Sequence, residues 1–216
     1  MPIQDIRLMI ATAIATTFLA FSPSKSFATD YYLGSLAAVQ GGVALPDLPS
    51  LNARVLQPGD RVAFQGGESF AGTIELNAED SGTAAQPVVI TSYGTGRATI
   101  SAGAGPAIKI YNAAGFAVSN LDLVGSGKTS NTSRGIDAGV YLPTTTKLDY
   151  LHFEQMKISG FYTAVEIWAW YSTSTMAWPG FRDVSMVGLE VFDNCSEGIK
   201  TWGTWRANST GTSFSH

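Results

Sequence analysis

Three stretches of this chain superpose on one another, and that repetition limits the available folds more than any other feature. Residues 116–124, 151–159 and 184–192 align with apolar residues in four columns: Phe116/Leu151/Val184, Val118/Phe153/Met186, Leu121/Met156/Leu189 and Leu123/Ile158/Val191. The stretches recur after 35 and then 33 residues. Within each, alternate residues are apolar, the period of a strand with one buried face. From Val118 to Leu121 the step is three, which changes the phase by one residue. A bend between two strands does this and keeps the buried side inward. One such unit cannot bury its apolar face alone, so neighbours must stack. An antiparallel sandwich accounts for the alternation but not for the recurring two-strand unit. The pattern predicts a β-solenoid.

Shorter strands are expected between these stretches, at Ile108-Lys-Ile110, Val140-Tyr-Leu142, Val165-Glu-Ile167 and Ile199-Lys-Thr201. Loops inserted at 125–138 and 169–181 would lengthen the coils. Upstream, strands are expected at 31–33, 61–65, 73–77, 87–92 and 98–102, punctuated by Gly, Asn, Asp and Ser. Leu48, Leu51 and Val55 fall on one helical face, and Pro58-Gly59-Asp60 ends that segment as a turn. Charged residues make up only 14% of the 216, and 23 are glycine, which suits many short strands and turns. The net charge of −4 and the absence of a basic run argue against nucleic acid as a partner. Cys195 is alone, so no intrachain disulfide can form, and neither His152 nor His216 stands in a metal-ligand spacing.

Residues 1–28 read as a secretory signal. Arg7 precedes a largely apolar run at 8–21, Pro23 breaks it, and Ser26-Phe27-Ala28 offers small residues at the two positions a signal peptidase reads. The run is short for a membrane anchor. Export to the periplasm or medium is expected, with no membrane attachment after cleavage. Residues 29–57 would then form an N-terminal strand and cap, and 58–216 an incomplete set of coils.

Pro58-Gly-Asp-Arg-Val-Ala-Phe-Gln-Gly-Gly67, Ser81-Gly-Thr83 and Gln86-Pro-Val-Val-Ile-Thr-Ser-Tyr-Gly94 resemble the opening of bacterial right-handed parallel β-helix proteins. These belong to the pectate-lyase-like superfamily, with its alginate-lyase and chondroitinase-B-like enzymes. Asp193-Asn-Cys-Ser-Glu-Gly-Ile199 resembles the loose repeat of the same group. The resemblance runs from about Leu56 onward and is more specific for fold than for activity. It implies an all-β, right-handed parallel β-helix with a short N-terminal capping helix, cut short at its C-terminus. It also implies that the basic residues and acidic calcium ligands of a lyase would mostly lie beyond His216.

In a solenoid, residues between the inward positions point out and stack along the axis. Asp122, Lys157 and Glu190 would form one ladder, and Lys109, Tyr141, Glu166 and Lys200 another. As structural ladders these contribute about 0.2–1 kcal/mol per opposite-charge pair. As chemistry, abstracting the proton beside a uronate carboxylate needs a base and a cation to neutralise the acid. Lys200 or Arg206 are candidates for the base, and Glu166, Glu190 and Asp193 for calcium ligands of the kind the resemblance implies. Nothing in the spacing selects a catalytic residue. Trp168, Trp170, Tyr171, Trp178, Trp202 and Trp205 crowd the last third. They are either a platform for sugar rings or a local apolar cluster. Trp168 and Trp202 share the offset of Glu166 and Lys200, so these four are the expected substrate-binding group. The expected partner is an extracellular polysaccharide. Three functions fit: a uronate polysaccharide lyase represented by an inactive piece, a non-catalytic glycan-binding adhesin, and a structural solenoid.

Overall fold

A computed structural model describes residues 28–171 and 177–203. The leader expected at 1–28 therefore lies, except for Ala28, outside the described residues. The N-terminal segment comprises β1 (Asp30–Leu33), a single turn of 3-10 helix, β2 (Val43–Leu45) and α1 (Leu48–Asn52). Five coils of three strands follow. The first holds β3 (Arg61–Gln65), β4 (Ser69–Ala71) and β5 (Ile74–Leu76). The second holds β6 (Val88–Tyr93), β7 (Ala98–Gly103) and β8 (Ile108–Tyr111). The third holds β9 (Phe116–Ser119), β10 (Leu121–Gly125) and β11 (Arg134–Val140). The fourth holds β12 (Leu148–Glu154), β13 (Lys157–Ser159) and β14 (Thr163–Ala169), and the fifth β15 (Phe181–Val187), β16 (Glu190–Phe192) and β17 (Ile199–Gly203).

Each strand pairs in parallel with its equivalents one coil before and after. This gives three sheets: β15-β12-β9-β6-β3-β1-β2, here the first; β16-β13-β10-β7-β4, the second; and β17-β14-β11-β8-β5, the third. The chain is a parallel β-solenoid. The repeat columns are present as read. Leu151 pairs with both Phe116 and Val184, Phe153 with Val118 and Met186, and Ile158 with Leu123 and Val191. Phe153, Met156 and Ile158 are fully buried.

The three corners explain the phase shift. Asn120, Gln155 and Gly188 sit between the first and second sheets of successive coils, all with φ between 53° and 64°. One residue in the left-handed region turns the chain without exposing the apolar side. Gly160 and Asp193 do the same after the second sheet, and Gly115, Tyr150 and Asp183 directly before the Phe116/Leu151/Val184 column. Side-chain hydrogen bonds assist the upstream corners. The Ser92 hydroxyl donates to the Asn120 carbonyl and accepts from the Ala98 amide.

The N-terminal cap is tied on by side chains. The Asp47 carboxylate accepts from the Ser50 amide and starts α1. Asn52 then meets the outer edge of β5, donating to the Thr73 carbonyl and accepting from the Glu75 amide. This satisfies backbone groups that a first coil leaves open. Leu48 and Leu51 join the core. Val55 does not: the helix ends at Asn52, and Val55 is exposed. The buried Asp80 carboxylate accepts from the Leu56 amide and carries the chain away from helical geometry.

Two further expectations are corrected. The insert placed at 125–138 is shorter, because Ile136, Ala138 and Val140 are inward residues of β11. For the same reason Tyr141 is not in the outward ladder with Lys109, Glu166 and Lys200. Asp137 takes that place, paired with Lys109 on one side and Glu166 on the other. Strands β2 and β4 went unread because each has three residues and a single buried one, Leu45 and Phe70.

The left-handed corner makes a specific prediction. Gln155→Gly is expected to leave stability near wild type, while Gln155→Val is expected to lower it by about 1–2 kcal/mol, the cost of forcing a β-branched residue into that region. Urea unfolding of the two variants checks this.

Candidate functional site: the outer face of the third sheet

The third sheet presents two outward columns side by side. The first is charged: Glu75, Lys109, Asp137, Glu166 and Lys200, in register on β5, β8, β11, β14 and β17. The second, two residues further along each strand, reads Tyr111, Gly139, Trp168 and Trp202. All four residues expected from sequence to bind substrate are thus brought together. Glu166 pairs with Lys200 and Trp168 with Trp202 on adjacent coils.

A repeated diagonal hydrogen bond sets the rings. The Trp168 indole N–H donates to Asp137 Oδ1 on the preceding coil at 2.8 Å, and the Trp202 indole N–H donates to Glu166 Oε1 on its own preceding coil at 2.6 Å. The same clamp applied on consecutive coils gives both indoles the same tilt. They lie parallel within 11°, centroids 5.6 Å apart. Trp168 can lie flat only because residue 139 is glycine: its ring fills the space a side chain there would take. It then meets Tyr111 on the far side, centroids 6.2 Å apart. Three rings therefore line one stripe of the surface, with Trp202 45% exposed at its end.

Glu166 is only 1% exposed although it faces away from the core. It accepts from the Arg134 guanidinium as well as from Trp202, and Lys200 Nζ stands 3.7 Å away. Its charge is covered and matched by these neighbours. Lys200 is also 3.8 Å from Glu197. Hydrogen bonds from Ser196 and Thr163, with Lys200 nearby, hold the Glu197 carboxyl below the usual carboxylate range. Lys200 thus stands between two carboxylates. Beside this cluster, Lys109, Ile110, Tyr111, Asp137 and Trp168 line a shallow depression of about 190 Å³. Lys109 makes no ion pair among the described residues.

The carboxylates expected to hold calcium do not converge. Glu166 is on the third sheet. Glu190 is on the second, with Lys157 and Arg97 at 3.1 and 3.8 Å, and Asp193 follows it with Lys128 at 3.0 Å. Each is neutralised by a basic side chain, and the three do not fit one cation. Among the described residues no group of three or more His, Cys, Asp and Glu is placed to hold a metal ion. Arg206 and Trp205 lie outside the described residues. His152 belongs to the first sheet, against Tyr150 and 3.1 Å from Asp183.

The insert after β14 begins with Trp170 and Tyr171. Its far end is held by Lys147, whose ammonium donates to the Trp178 and Pro179 carbonyls at 2.8 and 3.0 Å. Burial pushes the Lys147 pKa down. Asp137, Gly139, Lys109, Tyr111 and Arg134 were not among the residues expected at the site. The alternation Ile136/Ala138/Val140 was the signal that would have put Asp137 and Gly139 there.

The fold is a parallel β-solenoid with an aromatic and charged stripe on one face. No protein-family model matches the chain, and no curated protein matches it. Solved structures do. The native and selenomethionine crystal structures of GH136 lacto-N-biosidase from Eubacterium ramulus are similar to it, with TM-scores of 0.58 and 0.56 and 18% sequence identity in both. The likeness covers 75% and 76% of this chain but 34% of theirs, and at this identity it is a likeness of fold.

The account of the rings is testable. Gly139→Ala is expected to push Trp168 off β11 and weaken its contact with Trp202. A reduced near-UV circular dichroism signal with far-UV signal retained is the expected outcome. Glu166→Ala is expected to cost about 1–3 kcal/mol in urea unfolding. That is less than for a fully buried pair, because Arg134 and Lys200 are about 40% exposed and can rehydrate.

Proposed function

We propose that this chain is part of a secreted or periplasmic β-helix protein that binds extracellular glycan on the outer face of its third sheet. The observation that carries the reading is the parallel Trp168/Trp202 pair beside a depression lined by Asp137 and Lys109. Sugar rings present C–H groups on one face and hydroxyls at the rim. A flat indole takes the first, and a carboxylate and an ammonium take the second. Both indole N–H groups are already used by carboxylates, so the rings offer faces alone. The fold likeness to a lacto-N-biosidase adds a carbohydrate-active precedent for this architecture.

Binding is better supported here than cleavage. Hydrolysis of a glycosidic bond ordinarily uses two carboxyl groups flanking it. At this face Asp137 lines the depression, but Glu166 is covered by two hydrogen-bond donors, Arg134 and Trp202, with Lys200 at 3.7 Å. Elimination from a uronate, as in the pectate-lyase-like enzymes, needs a base, and Lys200 is taken up by two carboxylates, Glu166 at 3.7 Å and Glu197 at 3.8 Å. An enzyme of either kind would place its reacting groups elsewhere in a longer protein, with this face guiding the polymer.

The test is isothermal titration of the exported protein against oligosaccharides of alginate, pectin and chondroitin and against lacto-N-biose-containing oligosaccharides. At least one class is expected to bind. Trp202→Ala is expected to weaken that binding by tenfold or more, about 1.4 kcal/mol. Phe192→Ala, an exposed aromatic on the second sheet, is expected to leave it unchanged. No binding by any class, or equal binding by Trp202→Ala, overturns the reading.

A further inference from the structure

The third sheet carries one more outward column past its strand ends. The ladder continues beyond β11 and β14, with the Trp170 amide donating to the Val140 carbonyl at 2.9 Å. The Tyr141 amide donates to Asn112 Oδ1 at 2.7 Å, holding that residue in line. Alternation carries on too: Val140 is buried, and Tyr141 and Trp170 are exposed. The Tyr141 and Trp170 rings are 5.3 Å apart at 35°, and Tyr171 lies against Tyr141 at 5.0 Å and 52°. This cluster stands two residues along the strands from Gly139 and Trp168, a displacement of roughly 6.5 Å.

We propose that Tyr141, Trp170 and Tyr171 form a second sugar subsite, so that this face takes an oligosaccharide of two or more units laid along the strands and across the solenoid axis. The proposal rests on the glycan reading and adds length and direction to it. Along the axis one face of Trp168 and one face of Trp202 are packed against each other. Along the strand, a glycan meets in turn the charged pair Lys109 and Asp137, the ring of Trp168, and then the exposed rings of Tyr141 and Trp170. The order is polar, aromatic, aromatic, which suits a chain whose one end is fixed by hydroxyl or acid groups and whose next unit needs only a ring to rest on.

The experiment is titration with a size series, from one to six units, of alginate, pectin, chondroitin and lacto-N-biose-containing saccharides, for wild type and variants whose near-UV dichroism reports retained packing. Affinity is expected to rise at least tenfold from one unit to two or more. Tyr141→Ala with Trp170→Ala is expected to remove that rise while leaving single-unit affinity unchanged. Trp170→Phe, which keeps a ring, is expected to retain most of it. Binding that depends on Trp202 but is equal for one unit and several, or is unaffected by loss of Tyr141 and Trp170, overturns the second subsite alone. No binding of any saccharide overturns the glycan reading and the subsite with it.

Discussion

The in-register parallel pairing of one coil with the next is the interaction on which everything else depends. Parallel strands place equivalent residues about 4.8 Å apart along the axis. That spacing sums the apolar residues of separate coils into one continuous core, from Leu33 and Phe64 to Phe153 and Ile167. It holds only if every coil turns its corners at the same point. Asn120, Gln155 and Gly188 do so with a single left-handed residue each, so the corners stack as the strands do. A one-residue slip at any corner would turn Leu151 and Phe153 outward and His152 inward.

The same pairing builds the outer face. Residues far apart in the chain, such as Lys109 and Lys200, become members of one column because each coil repeats the register. The indole clamp works through this regularity. A tryptophan reaches diagonally to a carboxylate one coil back, twice in succession, and two parallel rings result. Burying Glu166 has a solvation cost, offset by two hydrogen bonds and the nearby Lys200 charge. Its effect is specificity of arrangement more than stability: it holds Trp202 and Arg134 in one geometry.

The solenoid and its four inward columns were legible because alternation and the three-residue step are local patterns repeated at long range. Glu166, Lys200, Trp168 and Trp202 were legible as a group for the same reason, since equal offsets mean equal height on neighbouring coils. Asp137 and Gly139 were not. The segment 134–140 is rich in small residues, and Gly135, Ala138 and Gly139 give it little apolar contrast, so the sequence pattern puts the strand at 140–142 instead. Glycine at 139 also carries no chemistry of its own; its importance appears only once Trp168 is seen lying over it. Glu166 was read as an outward, available charge, and it does point outward. Its burial follows from Arg134 and Trp202 closing over it, a tertiary effect that no spacing encodes.

The central claim is that a glycan lies on the outer face of the third sheet, positioned by rings that the coil register aligns. A crystal structure of the protein soaked with an oligosaccharide that binds it in solution tests this most directly. The account predicts sugar density over Trp168, in reach of Asp137 and Lys109. Sugar density confined to the first or second sheet, with the third sheet bare, would contradict it.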